Sequence, residues 1–270
     1  MPEAAEVQVI TDNLQFLVGR KVRGIFRGVK RPWIAPINLP RIINNRIESI
    51  DRVGKFIVLS LESSDKFVMH LSFTGSFSFS GTDFLALKFF LDDGQKLCFS
   101  DKRGLAKMRF MSDFEYKNDK TLSSHKVDAL SSSVEKIYER LLYLKSKGVK
   151  KELKPFLLDY NYICGIGNIY ASEICFHAKL NPRIRFNNLS EESLRILASS
   201  ISFILLRAYK AGGSSIESFS DLFDNIGHAQ EYHKVYHKEV CTECGQRILS
   251  FSQNGRTTFY CPECQKEELY

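Results

Sequence analysis

The 270-residue sequence predicts a multidomain α+β protein: an N-terminal helix and an antiparallel β-sandwich, then a helical domain, then a small C-terminal β-hairpin. Three observations carry that reading. Apolar residues recur at helical spacing over the first seventeen positions. From about 20 to 112 the pattern changes to β-branched and aromatic runs with period-two alternation. Past 130 the helical period returns, and the chain closes on paired cysteines around a hairpin-like stretch.

Val7, Ile10, Leu14 and Leu17 form one stripe of a helix over 2–17. Strands follow at 55–61 and across 66–79, where Phe67, Met69, Leu71 and Phe73 alternate with their neighbours. Asp92-Asp93-Gly94 reads as a hairpin turn between 87–91 and 96–100. These strands and the first helix make an N-terminal domain over 1–115. Residues 113–130 are polar and lack a sustained pattern, which sets a linker at 116–130.

The helical domain is expected over 131–235. Val134, Ile137, Leu141 and Leu144 share a face, and a short helix is expected over 154–162. After Cys164-Gly165-Ile166-Gly167 another helix runs from Asn168 to His177. Ser190 caps a long helix that buries Leu194, Leu197, Ala198, Ile201 and Leu205, and Gly212-Gly213 stops it. Ser214–Gln230 is a polar loop, and 236–270 is the C-terminal module.

That module carries Cys241-x-x-Cys244, sixteen intervening residues and Cys261-x-x-Cys264. Two such pairs supply four thiolates at tetrahedral corners, the ligand set of one structural zinc ion; a redox or disulfide role is the alternative. Arg256-Thr257-Thr258-Phe259-Tyr260, between the pairs, reads as a strand with Arg256 carried at the hairpin tip. With 38 Lys+Arg against 31 Asp+Glu the net charge is +7, which suits a polyanion partner. No apolar run approaches the roughly 18 residues of a membrane span. The opening residues, with Glu3 and Glu6, do not read as a secretory signal. Scattered Cys98, Cys164 and Cys175 fit a reduced intracellular compartment.

Gly165 and Gly167 permit positive φ and close backbone approach just where a helix begins, and Asn168 adds a side-chain amide. The arrangement suits a nucleic-acid phosphate; it equally describes a tight turn between packed helices.

Taken in order, Met1-Pro2-Glu3-Ala4-Ala5-Glu6-Val7, Lys55, His70-Leu71-Ser72-Phe73-Thr74-Gly75, Ser100-Asp101-Lys102-Arg103, Lys154-Pro155-Phe156-Leu157-Leu158-Asp159, Gly165 to Glu173 and Arg256 to Cys261 resemble the formamidopyrimidine-DNA glycosylase / endonuclease VIII family of base-excision repair enzymes. The resemblance spans residue 2 to about 266. It implies a helix–two-turns–helix DNA-binding motif in the helical domain and a zinc finger at the C-terminus. It further implies a monomer acting on damaged double-stranded DNA as a bifunctional glycosylase and lyase.

The resemblance implies catalytic roles for Pro2 and Glu3, with Glu6 lining the lesion pocket. Chemistry gives Pro2 a reason. Once Met1 is removed, its ring nitrogen is a secondary amine of pKa about 8, at the positive end of a helix that favours the unprotonated form. Attack on the sugar's anomeric carbon yields an iminium ion, an electron sink that expels the base and acidifies neighbouring sugar protons for elimination. Glu3 can shuttle protons. Lys55 matches the lysine that holds the phosphate beside the lesion, and His70 a backbone contact, although alone they read as a solvated lysine and a structural histidine. Asn168 and Arg256 match the clamp on the lesion phosphate, and Glu173 an acid that orients it.

The sequence departs from the family where the gap left by an extruded base is filled. Phe73 stands at the first wedge position. Gly104 falls where an Arg that reads the opposite base is expected, and Leu105 replaces a Phe; Arg103 is one position away. Weak discrimination of the opposite base is therefore expected. The length of the 214–230 loop resembles the lesion-capping loop of the formamidopyrimidine branch, which tilts the substrate toward oxidised or ring-opened purines. The competing class is a non-catalytic zinc-finger DNA- or RNA-binding protein derived from this family; a zinc-ribbon adaptor is a third.

Overall fold

The computed structural model describes residues 1–28, 39–122, 127–215 and 220–266. The chain divides into two compact units: Met1–Ser124 with Ser214–Gly227, and His125–Gly213 with His228–Tyr270.

The first unit opens with α1 (Ala4–Asn13), continued by a 3₁₀ turn at Leu14–Leu17. The sequence stripe lies where expected, since Val7, Ile10, Leu14 and Leu17 are all buried in one core. Eight antiparallel strands follow: β1 (Val22–Arg27), β2 (Ile47–Val53), β3 (Phe56–Leu61), β4 (Lys66–His70), β5 (Gly75–Ser78), β6 (Leu85–Leu91), β7 (Lys96–Asp101) and β8 (Lys107–Met111). They form two four-stranded sheets, ordered β1-β6-β7-β5 and β2-β3-β4-β8, with the apolar core shared between them. A short helix, α2 (Leu39–Ile42), lies between β1 and β2.

The 66–79 run is two strands in different sheets. Gly75 explains the break: its N–H donates to the Leu71 carbonyl at 3.1 Å, and a Cβ there would stand 2.5 Å from that oxygen. No other residue fits this close return. Gly94 takes φ +82° in the β6–β7 hairpin, as the Asp-Asp-Gly turn predicts.

The stretch expected as a linker is ordered at both described ends. Ser112 and Glu115 form a capping box that starts α3 (Asp113–Asn118). β9 (Val127–Asp128) pairs in parallel with β10 (Ile163–Cys164). Residues 123–126 of that stretch lie outside the described ones.

The second unit packs α4 (Val134–Ser146), α5 (Leu153–Leu157), α6 (Asn168–His177) and α7 (Glu191–Lys210). α5 is shorter than the helix expected over 154–162. Ser190 caps α7, its hydroxyl accepting the Ser193 N–H at 3.0 Å, and Gly212 and Gly213 end the helix with φ +77° and +82°. β11 (Leu249–Gln253) and β12 (Arg256–Tyr260) make the C-terminal hairpin. Among the described residues no helix is long and apolar enough to cross a membrane.

The loop that the sequence reading groups with the helical domain folds instead with the first unit from Ser214 to Gly227. Leu222 explains this, being buried in the sandwich core. Residues 216–219 of the loop lie outside the described ones.

Candidate functional site

In the first unit the candidate groups gather at the start of α1 and at one end of the β2-β3-β4-β8 sheet. Pro2 precedes the helix and is half-buried, whereas Glu3 and Glu6 are only 2% and 3% exposed. The Glu3 N–H donates to Glu6 Oε2 at 2.8 Å, and Glu6 Oε1 accepts the Ser214 N–H at 2.8 Å. Glu6 thus uses each oxygen on a backbone donor, the arrangement that makes burial of a carboxylate tolerable. It also ties the helix start to the 214–227 segment.

Lys55 sits in the Gly54-Lys55 turn of the β2–β3 hairpin, one residue before the strand proper. His70 ends β4, paired across to Phe56 on one side and Lys107 on the other. Burial, then the Lys55 and Lys107 charges, push its pKa down to about 4. His70 is therefore neutral near pH 7, with Nδ1 3.2 Å from Ser72 Oγ. A neutral ring between two cations offers hydrogen bonds without adding charge. Lys107 is a cation of this group that the sequence reading missed.

Phe73 and Arg103 come together. The Arg103 guanidinium lies 4.7 Å from the centre of the Phe73 ring, within cation–π range. Their two turns are laced by Ser72 Oγ donating to the Leu105 carbonyl at 2.6 Å and by Asp101, which is fully buried. Asp101 accepts the Thr74 hydroxyl and the N–H groups of Arg103 and Ala106, the latter at 2.8 Å. Gly104 takes φ +64°, and Leu105 is exposed beside it. A buried acid at the end of a β-strand, followed by a Gly turn, is the signal that would have found Asp101 as the brace.

In the second unit Asn168 is the first residue of α6. Gly165 takes φ +104° and Gly167 caps the helix in extended conformation, so the positive end of the helix dipole lies at this turn. Asn168 Oδ1 is buried without a partner. Glu173, one turn on, spends both oxygens on three successive N–H groups: Lys234 at 2.8 Å, Val235 at 3.0 Å and Tyr236 at 2.8 Å. Burial pushes its pKa up, against the pull of those three donors. Glu173 braces the chain leading to the hairpin.

Arg256 opens β12 just after Asn254-Gly255, both at positive φ, and is exposed. The hairpin is stitched to its helical base by buried polar groups. Lys154 Nζ, on a residue 1% exposed, donates to the Thr257 carbonyl at 2.8 Å. Gln253 Nε2 reaches Glu152 Oε2 at 2.8 Å and the Pro182 carbonyl at 3.0 Å. Gln265 takes the Cys261 N–H at 2.9 Å and donates to the Leu180 carbonyl at 2.9 Å.

Cys241, Cys244, Cys261 and Cys264 bring their sulfurs within 4.8 Å of one another, with 3.8 Å between Cys241 and Cys264 and 3.4 Å between Cys244 and Cys261. Four thiols at this spacing fit one tetrahedral metal ion. Burial raises the Cys241 thiol, but the N–H groups of Glu243 and Cys244, together with the neighbouring Cys244 and Cys261 thiols, outweigh it and bring its pKa down to about 7.

A helix-fronted β-sandwich, a glycine-rich helix start and a four-cysteine hairpin define a three-module class of protein, and each module has its match among known families. The formamidopyrimidine-DNA glycosylase N-terminal domain matches residues 1–108, the H2TH domain of that glycosylase residues 120–220, and the zinc finger found in FPG and IleRS residues 238–266. The formamidopyrimidine-DNA glycosylase of Vesicomyosocius okutanii is 30% identical over 98% of this chain and 100% of its own length. The crystal structure of MutM (Fpg) from Thermus thermophilus aligns with TM-score 0.88 at 29% identity, covering 99% of this chain and all of the other. A variant of Lactococcus lactis Fpg, solved with Fapy-dG-containing DNA, aligns at TM-score 0.85 and 27% identity over 98% of this chain and all of the other. The chain belongs to the formamidopyrimidine-DNA glycosylase family.

Proposed function

We propose that this protein is a bifunctional DNA glycosylase and abasic-site lyase that removes oxidised or ring-opened purines from double-stranded DNA inside the cell. The observation that carries the reading is the start of α1: a proline just outside the helix, followed by two buried carboxylates. Removal of Met1 frees the Pro2 nitrogen. Its lone pair attacks C1′ of the damaged nucleoside, and the glycosidic bond breaks with its electron pair leaving on the base. Glu3 delivers the proton that the leaving base or the ring oxygen needs. The sugar ring then opens: the C1′–O4′ bond breaks, O4′ takes up a proton, and the bond between C1′ and the Pro2 nitrogen becomes an iminium ion; loss of a C2′ proton expels the 3′ phosphate, and water later releases Pro2.

Lys55 and His70, with Lys107 beside them, hold the backbone near the lesion; Asn168 and Arg256 hold the lesion phosphate from the second unit. Phe73 with Arg103 fills the gap left by the extruded base. One zinc ion on the four cysteines fixes the hairpin that carries Arg256; when bound, it supplies structure and no reacting group. A non-catalytic binding protein has no use for the buried acids beside Pro2, and the family likeness along the whole chain favours the enzyme.

A lesion panel tests the reading. Duplexes carrying a ring-opened purine, an oxidised purine or an oxidised pyrimidine, each opposite all four bases, should show the purine lesions cut fastest. Rates should vary by less than about tenfold with the opposite base, since Gly104 offers no side chain to read it. A strict cytosine preference would contradict the second expectation, and no excision of any lesion the first.

A further inference from the structure

In the β1-β6-β7-β5 sheet the register sorts side chains into rows of opposite facing. Ile25, Phe89 and Leu97 form one row toward the core, and Leu87, Phe99 and Phe77 lie in another. The rows between them face outward: Gly24, Phe90 and Lys96 in one, then Phe26, Lys88, Cys98 and Ser78 in the next. Outward positions of an antiparallel sheet are ordinarily polar. Here two of them are rings, Phe26 at 49% exposed and Phe90 at 36%. They are diagonal neighbours on adjacent strands, roughly 7–8 Å apart along the backbone. Gly24, directly opposite Phe90, has no side chain to cover it; a Cβ there would stand 3.7 Å from Phe90 Cδ2. On the other side of Phe90, Lys96 Nζ lies 6.0 Å from the ring centre. Across the four strands the cations are Arg23, Arg27, Lys88 and Lys96, and the acid is Asp101, fully buried as the brace described above. Asp92 and Asp93 stand beyond the strand ends in the hairpin, Asp93 paired with Arg20 at 3.2 Å.

We propose that this outward face is a second nucleic-acid site, one that takes single-stranded DNA: unpaired bases stack on Phe26 and Phe90, and the phosphates between them meet Lys88 and Lys96. Rings interleaved with cations, with no exposed acid on the strands, are what an unpaired strand needs, because every base has a face to stack and every linkage a charge to neutralise. A duplex does not fit, since its base faces are already stacked on one another. An acidic amphipathic helix would use the lysines but seats its apolar side in a groove, whereas a sheet presents its rings in line. The face is separate from the reactive groups of the same unit. Pro2, Glu3 and Glu6 lie at the start of α1, while Lys55, His70 and Lys107 belong to the β2-β3-β4-β8 sheet and its hairpin. Binding here therefore adds to the enzymatic reading and does not depend on it.

The test measures fluorescence anisotropy of a labelled, undamaged oligothymidine with the metal-loaded protein, in saturating unlabelled duplex that carries an abasic-site analogue. The duplex occupies the lesion site, so a strand that stays bound is held elsewhere. Phe26→Ala and Phe90→Ala, both at exposed positions, should each weaken strand binding roughly tenfold. Phe90→Tyr, which keeps a ring, should restore it. Lys88→Gln and Lys96→Gln should each lower the slope of log affinity against log salt by roughly 0.7. Cleavage of a damaged duplex by all of these variants should stay within about twofold of wild type. Complete displacement of the strand by the duplex, or alanine variants that bind it as well as wild type, would overturn the proposal. So would a face that binds an acidic, Phe-containing peptide and ignores the strand, which would make it a protein interface. A wild-type protein that cuts no lesion would overturn the enzymatic reading and leave this result untouched, so the two failures are distinguishable.

Discussion

α1 and the C-terminal hairpin each carry one residue with a proposed role, Pro2 and Arg256, yet they are held by opposite means. α1 is fixed by apolar burial: Val7, Ile10 and Leu14 sink into a core that the whole sandwich shares. The hairpin has a core of only a few residues, among them Val235, Ile248 and two of the cysteines themselves. Its position comes from directional bonds made by buried Lys154, Gln253 and Gln265, and from the four sulfurs. Apolar packing is non-directional and tolerates small shifts, whereas a buried polar network has one satisfied arrangement and fails when a member is lost. The proposed nucleophile sits on the robust element, the proposed phosphate contact on the brittle one.

Metal removal is the strongest way to break this comparison. Chelation should loosen the hairpin and weaken DNA binding by roughly a hundredfold or more, because metal-binding energy is folding energy in so small a module. The sandwich signals in an NMR spectrum should stay put; their collapse alongside the hairpin would show that the two elements are not held independently. Substitutions come next. Phe99→Ala, in the sandwich core, should cost about 3–5 kcal/mol of stability without lowering metal affinity. Gln265→Ala, which strands the Cys261 N–H and the Leu180 carbonyl, should cost about 1–3 kcal/mol and lower metal affinity as well. Denaturation and competition with a metal indicator read both.

A pH dependence is the effect confined to one group. His70 titrates near 6.5 when unfolded and is held down to about 4 in the fold, so its neutral form stabilises the protein fully above 6.5. That contribution, on the order of 3 kcal/mol, is lost as pH falls from 6.5 to 4 and changes no further below. His70→Asn should make the stability curve of the metal-loaded protein less steep over that window, the remaining slope coming from His233, which burial holds down to about 4 as well. An unchanged slope would mean that His70 is not desolvated between Lys55 and Lys107.

Much of this was legible in the sequence because periodicity reports burial. The α1 stripe, the α7 face and its Ser190 cap, the Asp-Asp-Gly hairpin and the cysteine spacing all follow from local rules. The break of 66–79 into two sheets was not legible, since a close return at Gly75 is a tertiary fact that alternation cannot signal. α3 was missed because its six residues bury none of their side chains and leave no stripe, although Ser112-x-x-Glu115 was there to be read. The placement of 214–227 with the sandwich draws on Leu222 in the core and on the Ser214 N–H held by Glu6, and a polar-looking loop conceals both. Among the site groups, Lys107 and Asp101 act through neighbours brought together only by strand pairing, so no motif announces them.

The central claim is that Pro2 is the nucleophile. Borohydride reduction of the protein mixed with duplex DNA carrying an oxidised purine or an abasic site should yield a covalent protein–DNA adduct, and Pro2→Gly should abolish or strongly reduce it while retaining DNA binding. An adduct that forms equally well in the variant, or none with any damaged duplex despite bound metal and tight DNA binding, would contradict the account.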